Sequence, residues 1–465
     1  MENLIYGVND RPPLPKLLLS ALQQLLAVLA ATIAVPAIIG NGMSQSAALF
    51  GAGVGTLVYL LFTKFKSPVF LGSSFAFLGS MSAAFAGAVT VSVGYLGLII
   101  GALLAGLIYV LLAVLVKIFG TNWINKLMPP VIIGPTVAII GLSLAGNAIG
   151  DLKSGSVLVD GASVASPYIA LLCGLVTLFV TIICSVYGKK FLKMIPFIIG
   201  ILAGYLLATL FTIIGNAADV NALKVINFDL FKNINWVPDF TFITAFGHVS
   251  DIPDASTFFA YFGTIAVAYI PVAFVVFAEH IADHKNLSSI IGNDLLTEPG
   301  LDKTLLGDGV GSFAGAFFGG CPNTTYGESV GCVAISKNAS VWTILVTAIM
   351  AIVISFFGPF VTLLATIPSC VMGGVCMALY GFIAVSGLKM LKDVDLGDNK
   401  NLFVVSVILI AGVGNLVVTF GKVTLTEVAC ALLLGIIVNQ IVRVKEYKAS
   451  RKERLENKAK ESNKE

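Results

Sequence analysis

Charge is what this sequence has least of. Asp, Glu, Lys and Arg make up 11% of its 465 residues, against about 25% in an average soluble domain. A water-facing surface cannot be clothed at that density, which excludes a soluble globular fold and points to a bilayer as the solvent. No charged residue lies between Lys16 and Lys64, between Lys66 and Lys117, or between Lys337 and Lys389. Each gap is about twice the roughly 20 residues that one spanning helix needs, so each reads as two spans joined by a short uncharged turn. Histidine is nearly as scarce, with 3 in the chain. The 7 cysteines (Cys173, Cys184, Cys321, Cys332, Cys370, Cys376 and Cys430) form no C-x-x-C pair and read as small buried residues, not metal ligands. No short apolar stretch followed by a cleavage site opens the chain, so no removable signal peptide is expected. The one basic cluster, Arg443 to Lys464, alternates with Glu. It reads as a solvated tail and not as a nucleic-acid-binding face.

What the chain has instead is apolar length: 57% of its residues are hydrophobic. The pattern predicts an all-α integral membrane fold of about 14 spans, near 17–38, 44–63, 68–85, 92–116, 127–147, 167–187, 192–215, 257–282, 302–319, 322–337, 341–357, 361–386, 401–421 and 424–442. If the N-terminus is inside, the inner loops carry Lys64, Lys66, Lys117, Lys126, Lys189, Lys190, Lys285, Lys303, Lys337, Lys389, Lys392 and Lys400. The outer side has only Lys153, Lys224, Lys232 and Lys422. Excess Lys and Arg mark cytoplasmic loops, so both termini are expected in the cytoplasm, with the chain in the cell membrane. The divisions that follow are a cytoplasmic N-terminus (1–16), a first seven-span repeat (17–215), an outer loop with Trp236 and several Asp (216–256), a second seven-span repeat (257–442) and a cytoplasmic tail (443–465).

Two segments break the apolar pattern. The third, Ser67 to Met81 (SPVFLGSSFAFLGSM), and the tenth, Cys321 to Cys332 (CPNTTYGESVGC), are rich in Gly, Ser, Thr and Pro. Each is expected to begin extended and then turn helical. Interrupted segments at corresponding positions of two halves point to a transporter site built from inverted repeats. Seven spans per half would give the halves the opposite orientations such repeats need. Ordinary helix packing through small residues is the alternative.

Ionisable groups inside a membrane are functional candidates by default. Glu279 ends the stretch TIAVAYIPVAFVVFAEH, Glu328 sits in the tenth segment, and Asp308 and Glu427 fall nearer span ends. Glu279 and Asp283 are four apart and share a helix face. Two carboxylates in a poorly solvated place repel, so one of them is expected to hold a proton, as a proton-coupled carrier requires. Alternatively Asp283 has reached cytoplasmic water and only ends the span. Around Glu328 an extended stretch would become a half-helix whose first N–H groups lack helical acceptors. A carboxylate beside free N–H groups suits a neutral ring that alternates N–H and C=O, of which uracil is one. Ser74-Phe75-Ala76 offers a second set of N–H groups, and Phe75 and Tyr326 offer aromatic faces for stacking or simply for packing. His280 and His284, also four apart, invite comparison with a zinc helix. The glutamate placement is wrong for that chemistry, and the third histidine, His248, is expected on the far side. No metal or other cofactor is expected, and no enzymatic activity.

These residues resemble the nucleobase–ascorbate transporter (nucleobase:cation symporter) family, of the uracil-permease type, over nearly the whole chain. The likeness runs through Gly7–Pro13 (GVNDRPP), Leu22-Gln23, Leu71–Phe77 (LGSSFAF), Ala278-Glu279-His280, Pro322–Glu328 (PNTTYGE) and Leu379-Tyr380-Gly381. The family signature Glu-Asn-x-Gly, followed by Thr and a basic residue, is Glu328-Ser329-Val330-Gly331 with Ser336 and Lys337 here. The resemblance implies 14 spans as two inverted repeats of seven, a core and a gate domain, and short strands in segments three and ten with the substrate between them. It implies that Glu279 and Glu328 accept the ring N–H groups and that the backbone N–H groups of Phe75 and Gly327 bind the carbonyls. Ala31, Tyr326 and Tyr380 would shape the pocket. It further implies symport of uracil with protons, through Glu279 and Asp283. At the position of Asp283 uracil permeases of this type often have histidine, whereas purine transporters of the family tend to have aspartate. That residue points to xanthine or urate, and the TYGE context to the pyrimidine. A homodimer is compatible with this reading. An anion exchanger of the same architecture would want a positive site, yet no Lys or Arg lies in the third segment or in the tenth before Lys337. A passive channel would want a continuous polar stripe, which the spans do not show.

Overall fold

A computed structural model describes residues 4–120, 129–159, 162–189, 191–232, 234–247, 251–420 and 423–462. Lys126, Lys190, His248, Lys422 and Lys464, which enter the reading above, lie outside the described residues. The chain is a membrane-spanning helical protein. Its main helices are α1 (Leu14–Ile39), α2 (Gln45–Phe62), α3 (Leu78–Ala86), α4 (Val91–Phe119), α5 (Pro130–Ser143), α6 (Ala145–Asp151), α7 (Pro167–Tyr187), α8 (Pro196–Ala217), α9 (Ala255–Ile291), α10 (Leu301–Gly319), α11 (Gly327–Ser336), α12 (Val341–Ile354), α13 (Gly358–Ala365), α14 (Ser369–Lys389), α15 (Asn399–Val413) and α16 (Glu427–Ser462). Two short strands, β1 (Leu71–Ser73) and β2 (Asn323–Thr325), matter to the site.

Among the described residues 9 helices are long and apolar enough to cross a bilayer, or 10 if α12 and α13, bent by 85° to each other, count as one span. The other expected segments fall on shorter or more polar units: β1 with α3, the Gly-rich α10, β2 with α11, and α15. Several expected boundaries move: the thirteenth span ends early, at Val413, and the helix of the fourteenth runs on to Ser462. The twelfth segment starts in the separate helix α13, and Pro368 caps the start of α14. The eighth runs on to Ile291 and stops on Gly292 at φ 72°, because charged residues such as Asp283 and Lys285 end an apolar run without ending a helix. At the other end of α9, Asp254 caps the first turn. It accepts from the Ser256 hydroxyl at 2.6 Å and the Thr257 N–H at 2.7 Å, which hold its carboxyl below the usual carboxylate range.

The helices sort into two groups. In the core group, α2 packs on α10 and α12, and α4 packs on α9 and α10. In the gate group, α5 packs on α14, α15 and α16, and α7 packs on α8 and α14. Lipid is as apolar as leucine, so helices hold together here by close fit rather than by hydrophobicity. The α2–α10 contact shows this. A Cβ on Gly51 would lie 2.5 Å from the Gly315 carbonyl oxygen, and one on Gly55 would lie 2.7 Å from that of Gly311. Glycines four apart on both helices let the two backbones touch. In the gate group, a Cβ on Gly174 would lie 2.6 Å from the Cys370 carbonyl oxygen.

β1 and β2 pair antiparallel, Leu71 with Thr325, Gly72 with Thr324 and Ser73 with Asn323. Strands this deep need every backbone group satisfied. Thr56 of α2 helps: its hydroxyl oxygen accepts from the Leu71 N–H at 2.9 Å. The Asn323 amide donates to the Gly51 carbonyl at 2.9 Å. The N-terminal segment straps the far end of α11. Ile5 N–H donates to the Lys337 carbonyl at 2.8 Å, and Ala339 N–H to that of Tyr6 at 2.9 Å. The Arg11 guanidinium lies 4.0 Å over the Trp342 ring.

Candidate functional site

The strand pair sets two helix starts side by side. After β1 the chain makes a tight turn at Phe75–Phe77 and enters α3; after β2 it enters α11 directly at Gly327. Neither start carries a side-chain cap. Their first N–H groups therefore lack helical acceptors and give the site partial positive charge.

A small cavity of about 40 Å³ lies at these two starts. It is lined by Ser74, Phe75, Ala76, Thr324, Thr325, Tyr326, Gly327, Glu328 and Glu279 from the core group, and by Ile140 and Ile383 from the gate group. A second cavity of about 330 Å³ adjoins it and shares Glu279, Gly327, Glu328 and Ile383. Asp283, Ser386 and Met390 line this outer space, which extends towards the helix ends bearing Lys285 and Lys389. Among the described residues no Lys or Arg lines either cavity, and Glu279, Asp283 and Glu328 do.

The structure brings together most of the residues singled out in the sequence. Phe75, Tyr326, Gly327, Glu328 and Glu279 share the inner cavity, and Glu279, Gly327, Glu328 and Asp283 share the outer one. A Cβ added at Gly327 would meet nothing within 4 Å, so its backbone is open to the cavity. Tyr380 and Ala31 line neither. Tyr380 sets its ring edge-on to Phe75, with centroids 5.9 Å apart, and Ala31 is buried within α1. Tyr326 has a holding role: its hydroxyl donates to the Ser73 carbonyl at 2.6 Å. Its ring covers Gly72 so closely that a Cβ there would lie 2.5 Å from Cζ, which is why that strand position takes glycine.

Asp283 is half-buried within α9, which runs on past it to Ile291. Its carboxylate accepts from the Thr325 hydroxyl at 2.6 Å, tying α9 to β2. Sequence reasoning missed Thr325. It also missed Gln24, whose amide donates to the Ser329 hydroxyl oxygen at 2.6 Å and fixes α11 against α1. It set Asp308 near a span end, whereas Asp308 is buried and 2.6 Å from His280. The signal for that pair was weak: one buried acid and one histidine, 28 residues apart. Among the described residues no three His, Cys, Asp or Glu side chains converge as a metal set.

Residues 15–420 match the profile of the family described as "Permease family". The chain is 37% identical over 447 residues to the uracil permease of Bacillus caldolyticus, covering 95% of each chain. It is 35% identical over 447 residues to the uracil permease of Escherichia coli strain K12, covering 96% of this chain and 95% of the other. Among solved structures it is similar to the transmembrane domain of a cyanobacterium bicarbonate transporter, BicA, at 17% identity and a TM-score of 0.60, covering 95% of this chain and 100% of that one. It is also similar to murine Solute Carrier 26 family member A9, an anion transporter in the inward-facing state, at 13% identity and a TM-score of 0.64, covering 94% of this chain and 69% of that one. At these identities the solved structures show the core-and-gate fold alone.

Proposed function

The chain belongs to the nucleobase–ascorbate transporter family of permeases, and on that premise we propose that it imports uracil across the cell membrane by proton symport, with both termini in the cytoplasm. The observation that carries this reading is the inner cavity, where two uncapped helix starts face two carboxylates. Uracil presents two ring N–H donors and two carbonyl acceptors on one small planar ring. The N–H groups of Phe75 and Gly327 suit the carbonyls. Glu328 and Glu279 suit the ring N–H groups, because an ionised carboxylate only accepts. Phe75 and Tyr326 flank the plane. Xanthine is disfavoured by the substrate in the relatives' names, and an anion by the carboxylates.

Glu279 and Asp283, one turn apart and facing the cavities without a basic neighbour, supply the place for the coupling proton. Movement of the core group against the gate group would then carry the site across, as expected of transporters built from repeats. With the outer cavity leading to the Lys285 and Lys389 side, the described conformation faces the cytoplasm. Uptake of radiolabelled uracil into proteoliposomes tests the reading. Accumulation on imposing an inward proton gradient is expected. Uptake that only equilibrates, or that ignores the gradient, overturns the coupling, and no uracil uptake at all overturns the substrate.

A further inference from the structure

Behind the site, on the face of α9 turned away from the cavities, the core group buries a second set of ionisable side chains. His280 and Asp308 are 0% and 1% exposed, and His280 Nδ1 lies 2.6 Å from Asp308 Oδ2. On the other side of the ring, His280 Nε2 lies 3.0 Å from the Thr304 hydroxyl. That hydroxyl also bonds the Leu301 carbonyl at 3.1 Å.

The one hydrogen of the Thr304 hydroxyl has two acceptors in reach, the Leu301 carbonyl at 3.1 Å and His280 Nε2 at 3.0 Å. Where it goes to Leu301, Nε2 carries its own hydrogen and donates to Thr304. The Nδ1···Oδ2 contact then adds another, so the pair holds one proton more than a neutral histidine beside a carboxylate, with net charge zero. Where it goes to Nε2, the pair is a neutral histidine that donates from Nδ1 to a carboxylate. The neighbouring His284 donates from Nδ1 to the His280 carbonyl at 2.7 Å. Its Nε2 lies 2.6 Å from the Tyr59 hydroxyl, which lies 2.7 Å from that of Ser67.

We propose that His280 and Asp308 form a proton-binding site of the transport cycle, separate from Glu279 and Asp283, which holds one proton between Nδ1 and Oδ2 in the conformation described. This rests on the proton-coupled reading above. When the proton leaves as H⁺, His280 keeps the Nε2 hydrogen towards Thr304, Asp308 is left as carboxylate, and the pair passes from net zero to one negative charge. His280 is the one ion-pair partner of Asp308 among the described residues. The other ionisable groups that face the pair are Tyr59 on α2, Tyr109 on α4, and Glu279, Asp283 and His284 on α9. Asp308 Oδ1 and the Tyr109 hydroxyl are buried and have no hydrogen-bond partner among the described residues. A permanently ionised buried carboxylate would be expected to have both oxygens satisfied. A negative charge appearing on the pair would oppose ionisation of Glu279 and Asp283. The two sites would thus share protons rather than titrate independently.

Solid-state NMR on protein labelled with ¹⁵N-histidine, in proteoliposomes, reads the proton directly in the unmodified chain. The expected result is a protonated Nε2 on His280 with its Nδ1 signal shifted by the shared proton; a bare Nε2 beside an ordinary Nδ1–H overturns the proposal. Asp308→Asn reads the role. Its amide can donate to Nδ1 and preserve the contact, but it cannot take up and release a proton. It is expected to keep uracil exchange and lose gradient-driven accumulation; equal retention or equal loss of the two overturns participation in the cycle. Should the variant fail to fold, the histidine spectrum still decides the protonation. Wild-type accumulation that ignores a proton gradient would sink the coupled reading itself. A bare Nε2 alongside proton-driven accumulation would sink only the pair.

Discussion

Glu328→Gln is the sharpest perturbation of the proposed site. Glu328 lies in the first turn of α11 and lines both cavities. As a carboxylate it can only accept. As an amide it presents two donors and keeps one acceptor oxygen. If a uracil N–H points at it, the substitution removes a hydrogen bond to a charged group, about 1.5–3 kcal/mol, and can leave a donor facing a donor at a further cost of about 1–3 kcal/mol. The amide can flip and offer its remaining oxygen, which favours the low end of the sum. A loss of about 3 kcal/mol weakens binding roughly a hundredfold. The fold should barely notice. A carboxylate in a first turn gains about 0.3–1 kcal/mol from the helix dipole, and the relief of repulsion with Glu279 and Asp283 works the other way. Calorimetric titration of uracil into purified protein measures the first quantity, and the melting temperature without ligand measures the second. An affinity within twofold of wild type, in a variant with an unshifted melting temperature, would refute the placement of Glu328 on the substrate.

Asp283→Asn should depress proton-driven accumulation more than uracil exchange, whereas Glu279→Gln should depress both; equal loss of both activities in Asp283→Asn would reduce that residue to its tie with Thr325. In competition uptake, uracil should be displaced by unlabelled uracil at far lower concentrations than by xanthine, and displacement by xanthine at equal or lower concentration would reverse the substrate assignment. Gly72→Ala should drive a methyl into the Tyr326 ring and cost about 1–3 kcal/mol, typical of overpacking. It should be read as a lowered melting temperature in detergent together with weakened uracil binding, and an unchanged melting temperature would mean the ring has room to yield.

The sequence was readable where a single residue type carried the message. The charge-free stretches delimited the spans, and the Gly, Ser, Thr and Pro content of the third and tenth segments marked where the helices are broken. Glu279 and Glu328 stood out because carboxylates are expensive in a membrane. The contacts that organise the site were not readable. Gln24 meets Ser329 across 305 residues and Thr325 meets Asp283 across 42. Such pairings depend on how the helices are rotated about their axes. In a soluble protein the polar stripe reveals that rotation, but here the lipid-facing and core-facing sides of helices such as α14 are equally apolar. Asp308 was visible as an acid, but its partner His280 was visible only as the neighbour of Glu279.

The pairing of β1 with β2 also fixes when this protein can become itself. Ser73 and Tyr326, joined across that pair, are 253 residues apart. Translation proceeds at about 5–20 residues per second, so β1 emerges roughly 13 to 50 seconds before its partner exists. Through that interval β1 is a strand without a neighbour, in a segment too short and too polar to stand alone across hydrocarbon. The first half of the chain is thus born incomplete: the backbone groups that β1 pairs with β2 wait for the tenth segment. A ribosome stalled before residue 323 would leave a membrane-bound product with an unpaired strand, a mark by which quality control could tell the half-made carrier from the finished one.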